Sequence, residues 1–277
     1  MSENAKKFEG LKVIMIGAHP DDCELKAGAT AALWASQGAS VRLMSLTNGD
    51  AGHHISGGGA LARRRMQESE RSAEILGVSS LVLDYHDGEL TPSLEVRRDV
   101  IRAIRSWQAD IVISPRPNDY HPDHRYASMV VADAAYMVLV PNVCPDLPPL
   151  EANPVFMYFP DHFRKPAPFS PDVIVDATPA MEKKIRSLDA MDSQMYEWLP
   201  WIDRQLDEVP VEPEQRIEYL KKFWKDHFHS SANEFKDLLT QRYGAERADQ
   251  VNYAEAFELC EYGCQPERNE LWEMFPY

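Results

Sequence analysis

Short, nearly unbroken apolar runs alternate along the first half of the chain with longer segments whose apolar residues recur every three or four positions. Lys12–Gly17 (KVIMIG) predicts a buried strand, and Glu24–Gln37 predicts a helix that Gly38 stops. Val41–Leu46 predicts a second strand, Leu61–Leu76 a helix ending at Gly77, and Ser80–Tyr85 a third strand. Leu94–Trp107 predicts a helix, Asp110–Ser114 a strand closed by Pro115 and Pro117, and His124–Leu139 another helix. The strands hardly alternate between apolar and polar, as expected of strands covered on both faces.

The second half is less regular. Val155–Phe159, Val173–Val175 and Tyr253–Leu259 predict strands, whereas Ala180–Trp198 and Glu214–Tyr243 predict helix. Pro-rich stretches over Pro141–Pro154 and Pro160–Pro171 predict connecting loops. Strand–helix alternation implies right-handed βαβ units. The predicted fold is therefore α/β, a Rossmann-like, mostly parallel sheet with helices on both faces and a C-terminal elaboration. With no internal repeat or low-complexity linker, residues 1–277 are expected to form one domain, its core over about residues 10–200 and the elaboration over 201–277.

Composition narrows the partners. Hydrophobic residues make up 44% and aromatics 10%, as in an ordinary globular chain. Lys and Arg number 29 against 44 Asp and Glu, giving a net charge of −15. So acidic a surface argues against nucleic acid and against anionic membranes as partners. No window is apolar enough to span a bilayer, and the start MSENAKKFEG lacks an apolar signal core, so a cytoplasmic location is expected. The four cysteines (Cys23, Cys144, Cys260 and Cys264) are too few for a disulfide framework, and free thiols are expected.

The chemistry gathers where the strands end. In open α/β sheets ligands bind beyond the carboxyl ends of the strands. The first strand leads into AHPDD (Ala18–Asp22), the second into NGDAG (Asn48–Gly52), the third into HDGEL (His86–Leu90) and the fourth into RPNDYHPDHR (Arg116–Arg125). His19 and Asp22, on a turn stiffened by Pro20, can aim an imidazole and a carboxylate at one point. Histidine nitrogen and carboxylate oxygen are zinc ligands, and catalytic zinc sites use three protein ligands. Within HPDH, His121 or His124 can complete the set. The bland alternative makes Asp21, Asp22 and Asp123 mere helix caps. Gly57–Gly59 do not form a dinucleotide-binding fingerprint. His53 and His54 with this loop are read as surface, or as a lid near the metal. His227 and His229 are read as helix-surface or packing groups.

AHPDD followed about a hundred residues later by HPDH resembles the PIG-L, or LmbE-like, family of zinc-dependent N-acetylglucosaminyl deacetylases. TNGDAG, Arg65 and Glu68 before Leu76–Val78, Asp87–Leu90 and the late YAEAF of Tyr253–Phe257 extend the resemblance. The AHPDDC start and the approach to Arg65 resemble the diacetylchitobiose deacetylase branch. The resemblance implies His19, Asp22 and His124 as ligands of zinc, with Fe2+ or another divalent metal as alternatives. It implies Asp21 as general base, His121 as the group that stabilises the oxyanion or protonates the leaving amine, and Asp123 as the residue that orients a histidine. It further implies that Arg65 and Asp87 grip a sugar; their bland alternatives are a surface ion pair and an Asp-Gly turn.

The expected reaction removes an N-acetyl group from a GlcNAc-type sugar or conjugate, with zinc bringing the pKa of water toward about 7. A small-molecule amino sugar is the expected partner, and homo-oligomers are open. The competing readings are a zinc amidohydrolase acting on a non-sugar metabolite and a non-catalytic sugar- or metal-binding protein. Two departures from the family pattern are Cys23, where an acidic residue is common, and Asp192, where a histidine precedes the Ser-Gln pair.

Overall fold

The computed structural model describes residues 7–277, the side chains at 225 and 226 excepted. The reading of residues 1–10 as lacking a signal core falls, for residues 1–6, outside the described residues. The described residues form a seven-stranded sheet in the order β3-β2-β1-β4-β5-β7-β6. Its strands are β1 (Lys12–Gly17), β2 (Ser40–Thr47), β3 (Ser79–Tyr85), β4 (Ile111–Ser114), β5 (Val155–Tyr158), β6 (Val173–Asp176) and β7 (Ala254–Gly263). Pairing from β3 through β5 is parallel, while β7 runs antiparallel to both β5 and β6. The fold is thus the mostly parallel α/β sheet expected.

Period-two alternation in β1 divides the core in two. Val13 and Met15 pack with Trp34, Leu43 and Phe257 on one face. Ile14 and Ile16 pack with Met44, Ile101 and Ile104 on the other. Each fully buried aliphatic side chain contributes about 1.5–3 kcal/mol, so β1 anchors both layers. Helices α1 (Asp22–Ser36), α2 (Gly58–Leu76), α3 (Leu94–Trp107) and α4 (Pro122–Met137) follow β1 to β4 in turn. Gly77, at φ 80, ends α2 in a left-handed cap. Ser93 caps α3 by accepting from Val96 N–H. The chain turns from one side of β1 to the other between β2 and β4, so the loops after β1 and β4 flank a topological switch point.

The C-terminal part departs most from expectation. The helix predicted over Ala180–Trp198 is broken into α5 (Met181–Asp189) and a π-helical segment, Ser193–Trp198. The one predicted over Glu214–Tyr243 is three helices, Pro213–Phe223, Lys225–Glu234 and Lys236–Tyr243. The middle helix of the three serves two apolar clusters, Phe228 packing with Tyr219 and Leu220, and Ala232 with Leu239 and Tyr243. The last strand is longer than predicted and lies between β5 and β6, so the elaboration completes the sheet.

From β7, Glu255 reaches α1. Its carboxylate accepts from Ala29 N–H at 3.1 Å and Thr30 N–H at 2.7 Å, just after a non-helical residue, Ala27. Lys184 of α5 pairs with Glu255 at 2.7 Å and donates to Leu25 C=O at 2.7 Å. Helix α1 is therefore kinked. Its first turn, which carries Asp22, is held apart from the rest by a buried ion pair.

Candidate active site and metal centre

The β1–α1 loop sets the first two functional side chains. Asp22 folds back, and its Oδ2 accepts from Ala18 N–H at 2.8 Å and His19 N–H at 2.9 Å. Gly17 permits this, since a Cβ there would stand 2.6 Å from the Asp22 Cβ. Asp21 adopts φ 147, a conformation that costs a non-glycine residue on the order of 1–3 kcal/mol. Arg65 braces it by donating to Pro20 C=O at 2.9 Å and to Asp21 Oδ2 at 3.3 Å.

His19, in the loop after β1, and His124, in the first turn of α4 105 residues on, face each other, Nδ1 to Nε2, at 3.2 Å. Asp22 stands beside both, its Oδ1 3.3 Å from His124 Nε2 and its Oδ2 3.7 Å from His19 Nδ1. A tetrahedral cation about 2.0–2.1 Å from each ligand separates the ligand atoms by roughly 3.3 Å. The two facing nitrogens stand at that spacing, while Asp22 reaches them through different oxygens, Oδ1 toward His124 and Oδ2 toward His19. His121 also brings a ring nitrogen within 4.8 Å of those of His19 and His124.

Each facing histidine is backed by carboxylate. His19 Nε2 lies 3.3 Å from Asp123 and 3.2 Å from Asp87. Asp123 is fully buried and also accepts from Gly88 N–H at 2.7 Å and Leu90 N–H at 3.2 Å, tying the loop after β3 to α4. His124 Nδ1 lies 3.1 Å from Asp119, which also accepts from His121 N–H at 2.9 Å. Such partners fix the tautomer and present the opposite nitrogen for ligation. Sequence reasoning missed Asp119. The available signal was its place in the same RPNDYHPDHR run, five residues before His124.

The charges couple strongly. Burial opposes a proton on His19, but hydrogen bonds to Asp123 and Asp87 and the charge of Asp22 outweigh it, raising the pKa to about 9. Burial likewise opposes a proton on His124, and Asp22 and Asp119 overcome it, raising the value to about 10. Against its own burial, Asp22 is held well below the usual carboxylate range by His124 and His19. Asp21 moves the other way. Burial raises it to about 6 despite Arg65, with the Asp22 charge adding to the rise.

His121 caps α4, its Nδ1 accepting the Asp123 N–H at 3.2 Å. Burial and the charges of His19 and His124 lower its pKa. A ring that accepts at Nδ1 carries its proton on Nε2 and is a neutral donor there.

Arg65 is only 2% exposed, and it is neither a surface ion pair nor an open arm. Besides bracing Pro20 and Asp21 it donates to Gly49 C=O at 3.1 Å and lies 3.5 Å from Asp87. Gly49 has to lack a side chain, because a Cβ would sit 2.6 Å from the guanidinium carbon. Asp50 accepts from Asp87 N–H at 3.0 Å and pairs with His86 at 2.7 Å. The NGDAG turn thus shapes the site from behind.

Residues 14–135 match the profile of the PIG-L family, GlcNAc-PI de-N-acetylase. Over 204 residues the chain is 34% identical to the diacetylchitobiose deacetylase of Thermococcus kodakarensis, a match covering 69% of this chain and 73% of that protein. The chain belongs to the PIG-L family. Its structure is similar to that of the N,N'-diacetylchitobiose deacetylase from Pyrococcus horikoshii complexed with its inhibitor MPG. That match has a TM-score of 0.70 and 27% identity, and it covers 93% of this chain and 86% of that one. The chain is also 25% identical over 193 residues to the 4-oxalmesaconate hydratase of Pseudomonas putida, across 67% of this chain and 74% of that protein.

Against the PIG-L pattern, the two departures have local explanations. Cys23 is a buried thiol directed at Met44 C=O, its pKa raised by burial. Asp192 lies 3.4 Å from Arg216 at the rim, while Ser193 is bound by Glu68 and Gln194 donates to Gly52 C=O at 3.1 Å. His53 pairs with Glu197 at 2.7 Å, which ties the 53–59 loop to the π-helical segment. No helix among the described residues is long and apolar enough to cross a membrane.

Proposed function

We propose that this PIG-L member is a metal-dependent N-deacetylase that removes the acetyl group from a GlcNAc-type sugar or conjugate. The observation that carries the reading is the convergence of His19, His124 and the two oxygens of Asp22 at 3.2–3.7 Å, beside a buried Asp21 that the metal does not need. Zinc is the proposed ion, and the same donors suit Fe2+. When bound, the cation supplies Lewis acidity to an amide carbonyl and to water.

The protein's own groups divide the remaining work. Asp21, with a pKa near 6, takes a proton from the attacking water and returns it to the leaving nitrogen. His121 donates from Nε2 to the oxygen that gains charge in the tetrahedral intermediate. It does so as a neutral ring, because its Nδ1 is occupied by the Asp123 N–H. Asp123 and Asp119 hold His19 and His124 in register. Arg65 positions Asp21, and Asp87, on the same wall, accepts from a sugar hydroxyl. Four cysteines, none paired among the described residues, fit a reducing compartment such as the cytoplasm.

The test is to strip the metal, reload with zinc or ferrous iron, and assay N-acetylglucosamine, N,N'-diacetylchitobiose and other GlcNAc conjugates for acetate and free amine. Acetate and amine in equal amounts are expected. No acetate from any of them, with the ion shown to be bound, would sink the reading. Amides with other acyl and amine halves belong in the same panel, since the metal chemistry serves any of them. The hydratase relative supports a second reading, addition of water to a double bond. That reaction would consume a conjugated acid without releasing amine.

A further inference from the structure

A cavity of about 250 Å³ lies between α1, α5 and the Lys225–Glu234 helix. A smaller one, lined by Asp22, Asp119 and His124, adjoins the metal-site residues. The two share Lys26, Pro160 and Asp161 in their linings, so Lys26 stands on the border between the metal site and the larger space. Most other charges lining the larger cavity are matched. Lys184 pairs with Glu255 at 2.7 Å, Asp161 pairs with Arg116 at 3.1 Å, and Glu234 is exposed at the edge.

Lys26 is the exception. Among the described residues no side chain gives its ammonium a hydrogen bond or an ion pair, and Asp22, Asp119 and Asp161 act on it only as more distant charges. Burial lowers its pKa. Lys26 is half-buried at the border of the two cavities, so its ammonium is open to an incoming anion. Two of the three carboxylates that offset it, Asp22 and Asp119, also serve the metal site. A bound cation uses their charge and leaves Lys26 still less compensated. Phe228, Met181 and Leu25 supply apolar wall next to it.

We propose that this cavity is a carboxylate-binding subsite, with Lys26 as the group that takes the carboxylate and the apolar wall taking a short carbon chain. The proposal rests on the amide-hydrolase reading for its place in catalysis. The carboxylate is either the acid released from the acyl half or one carried by the substrate. Lys26 lies outside the groups assigned to bond making, so binding can be read without turnover.

The full chain is titrated with sodium acetate and, separately, with N-acetylmuramate, both metal-free and zinc-loaded, with sodium chloride at equal ionic strength as control. Thermal unfolding is followed, because a ligand that binds only the folded state raises the midpoint. A rise beyond that given by chloride is expected in the parent and in Lys26→Arg. Lys26→Met is expected to bind the carboxylate at least tenfold more weakly. A response to acetate identifies the released acid as the source, and a response to N-acetylmuramate alone identifies the substrate. An equal carboxylate response in Lys26→Met overturns the proposal. So does a parent response no larger than that to chloride, a result that stands even if Lys26→Met fails to fold. Because no arm requires turnover, failure here is separable from failure of the deacetylase reading.

Discussion

Replacing Glu255 with Gln tests whether the buried pair on α1 holds the first turn of the site. Glu255 and Lys184 are each 4% exposed and 2.7 Å apart, and Glu255 also accepts the Ala29 and Thr30 N–H groups. Glutamine removes the charge opposite the Lys184 ammonium, leaving one amide oxygen and the Leu25 carbonyl to accept from it, and turns an NH2 toward the Thr30 N–H donor. Removing one partner of a buried pair costs about 3–5 kcal/mol. With a urea m-value of about 3 kcal/mol/M, the midpoint falls by roughly 1–1.7 M at unchanged m. Because the kink at Ala27 separates Asp22 from the capped half of α1, metal affinity by competition titration should fall together with stability. Replacing the pair with Met at both positions should recover part of the loss, since a packed apolar pair has no stranded charge. A loss under about 1 kcal/mol in Glu255→Gln would show that the pair is not what holds the kink.

Asp119→Asn should weaken metal binding about 10–100-fold with little change in fold, measured by isothermal titration, because it loosens the orientation of His124. Asp21→Asn should keep metal affinity within a few-fold and lower turnover by about 10²–10⁴; equal turnover would remove Asp21 from the mechanism. In the chelated protein, His19 and His124 have pKa values raised from 6.5 to about 9 and about 10, so their contribution to stability is full below pH 6.5. It is lost as pH rises through about 9 to 10. The urea midpoint of the chelated protein should therefore fall across that window. The loaded protein, whose ligand imidazoles have already lost those protons, should not follow; a flat profile in both would refute the coupling.

The sheet core, and the gathering of His19, Asp22 and His124 past the strand ends, were legible because local sequence determines them. KVIMIG is apolar on both strand faces, and a run of that kind ending in His-Pro-Asp-Asp can place its polar groups only past the strand end. The second half was not legible in the same way. AEAFELCEYG reads as a strand, but nothing in it says that it pairs antiparallel between β5 and β6. The breaks at Trp224 and Phe235 are marked by no proline or glycine, so helical periodicity runs straight through them. Arg65 was found by resemblance as a sugar-gripping residue. Its direction depends on Gly49 and Gly52 leaving room beneath the guanidinium, a contact across the fold. Asp119 and Lys26 escaped for a related reason. Each matters through what it faces, and those partners lie on other elements.

Neighbouring carboxylates with opposite titration behaviour say most about how the site works. Asp21 and Asp22 are adjacent in sequence, Asp21 buried and Asp22 partly so, and desolvation pushes both toward the neutral acid. Asp22 faces two imidazoles and accepts two backbone N–H groups, which together hold it ionised. Asp21 faces one guanidinium, already shared with Pro20, Gly49 and Asp87, and feels the charge of Asp22 besides. One residue is therefore an anion at all working pH values, as the proposed metal ligand must be. The other sits near pH 6, where a proton can be taken and given back. The positive φ at Asp21 makes this division possible. It turns the Asp21 side chain toward Arg65 while Asp22 folds back on Ala18 and His19.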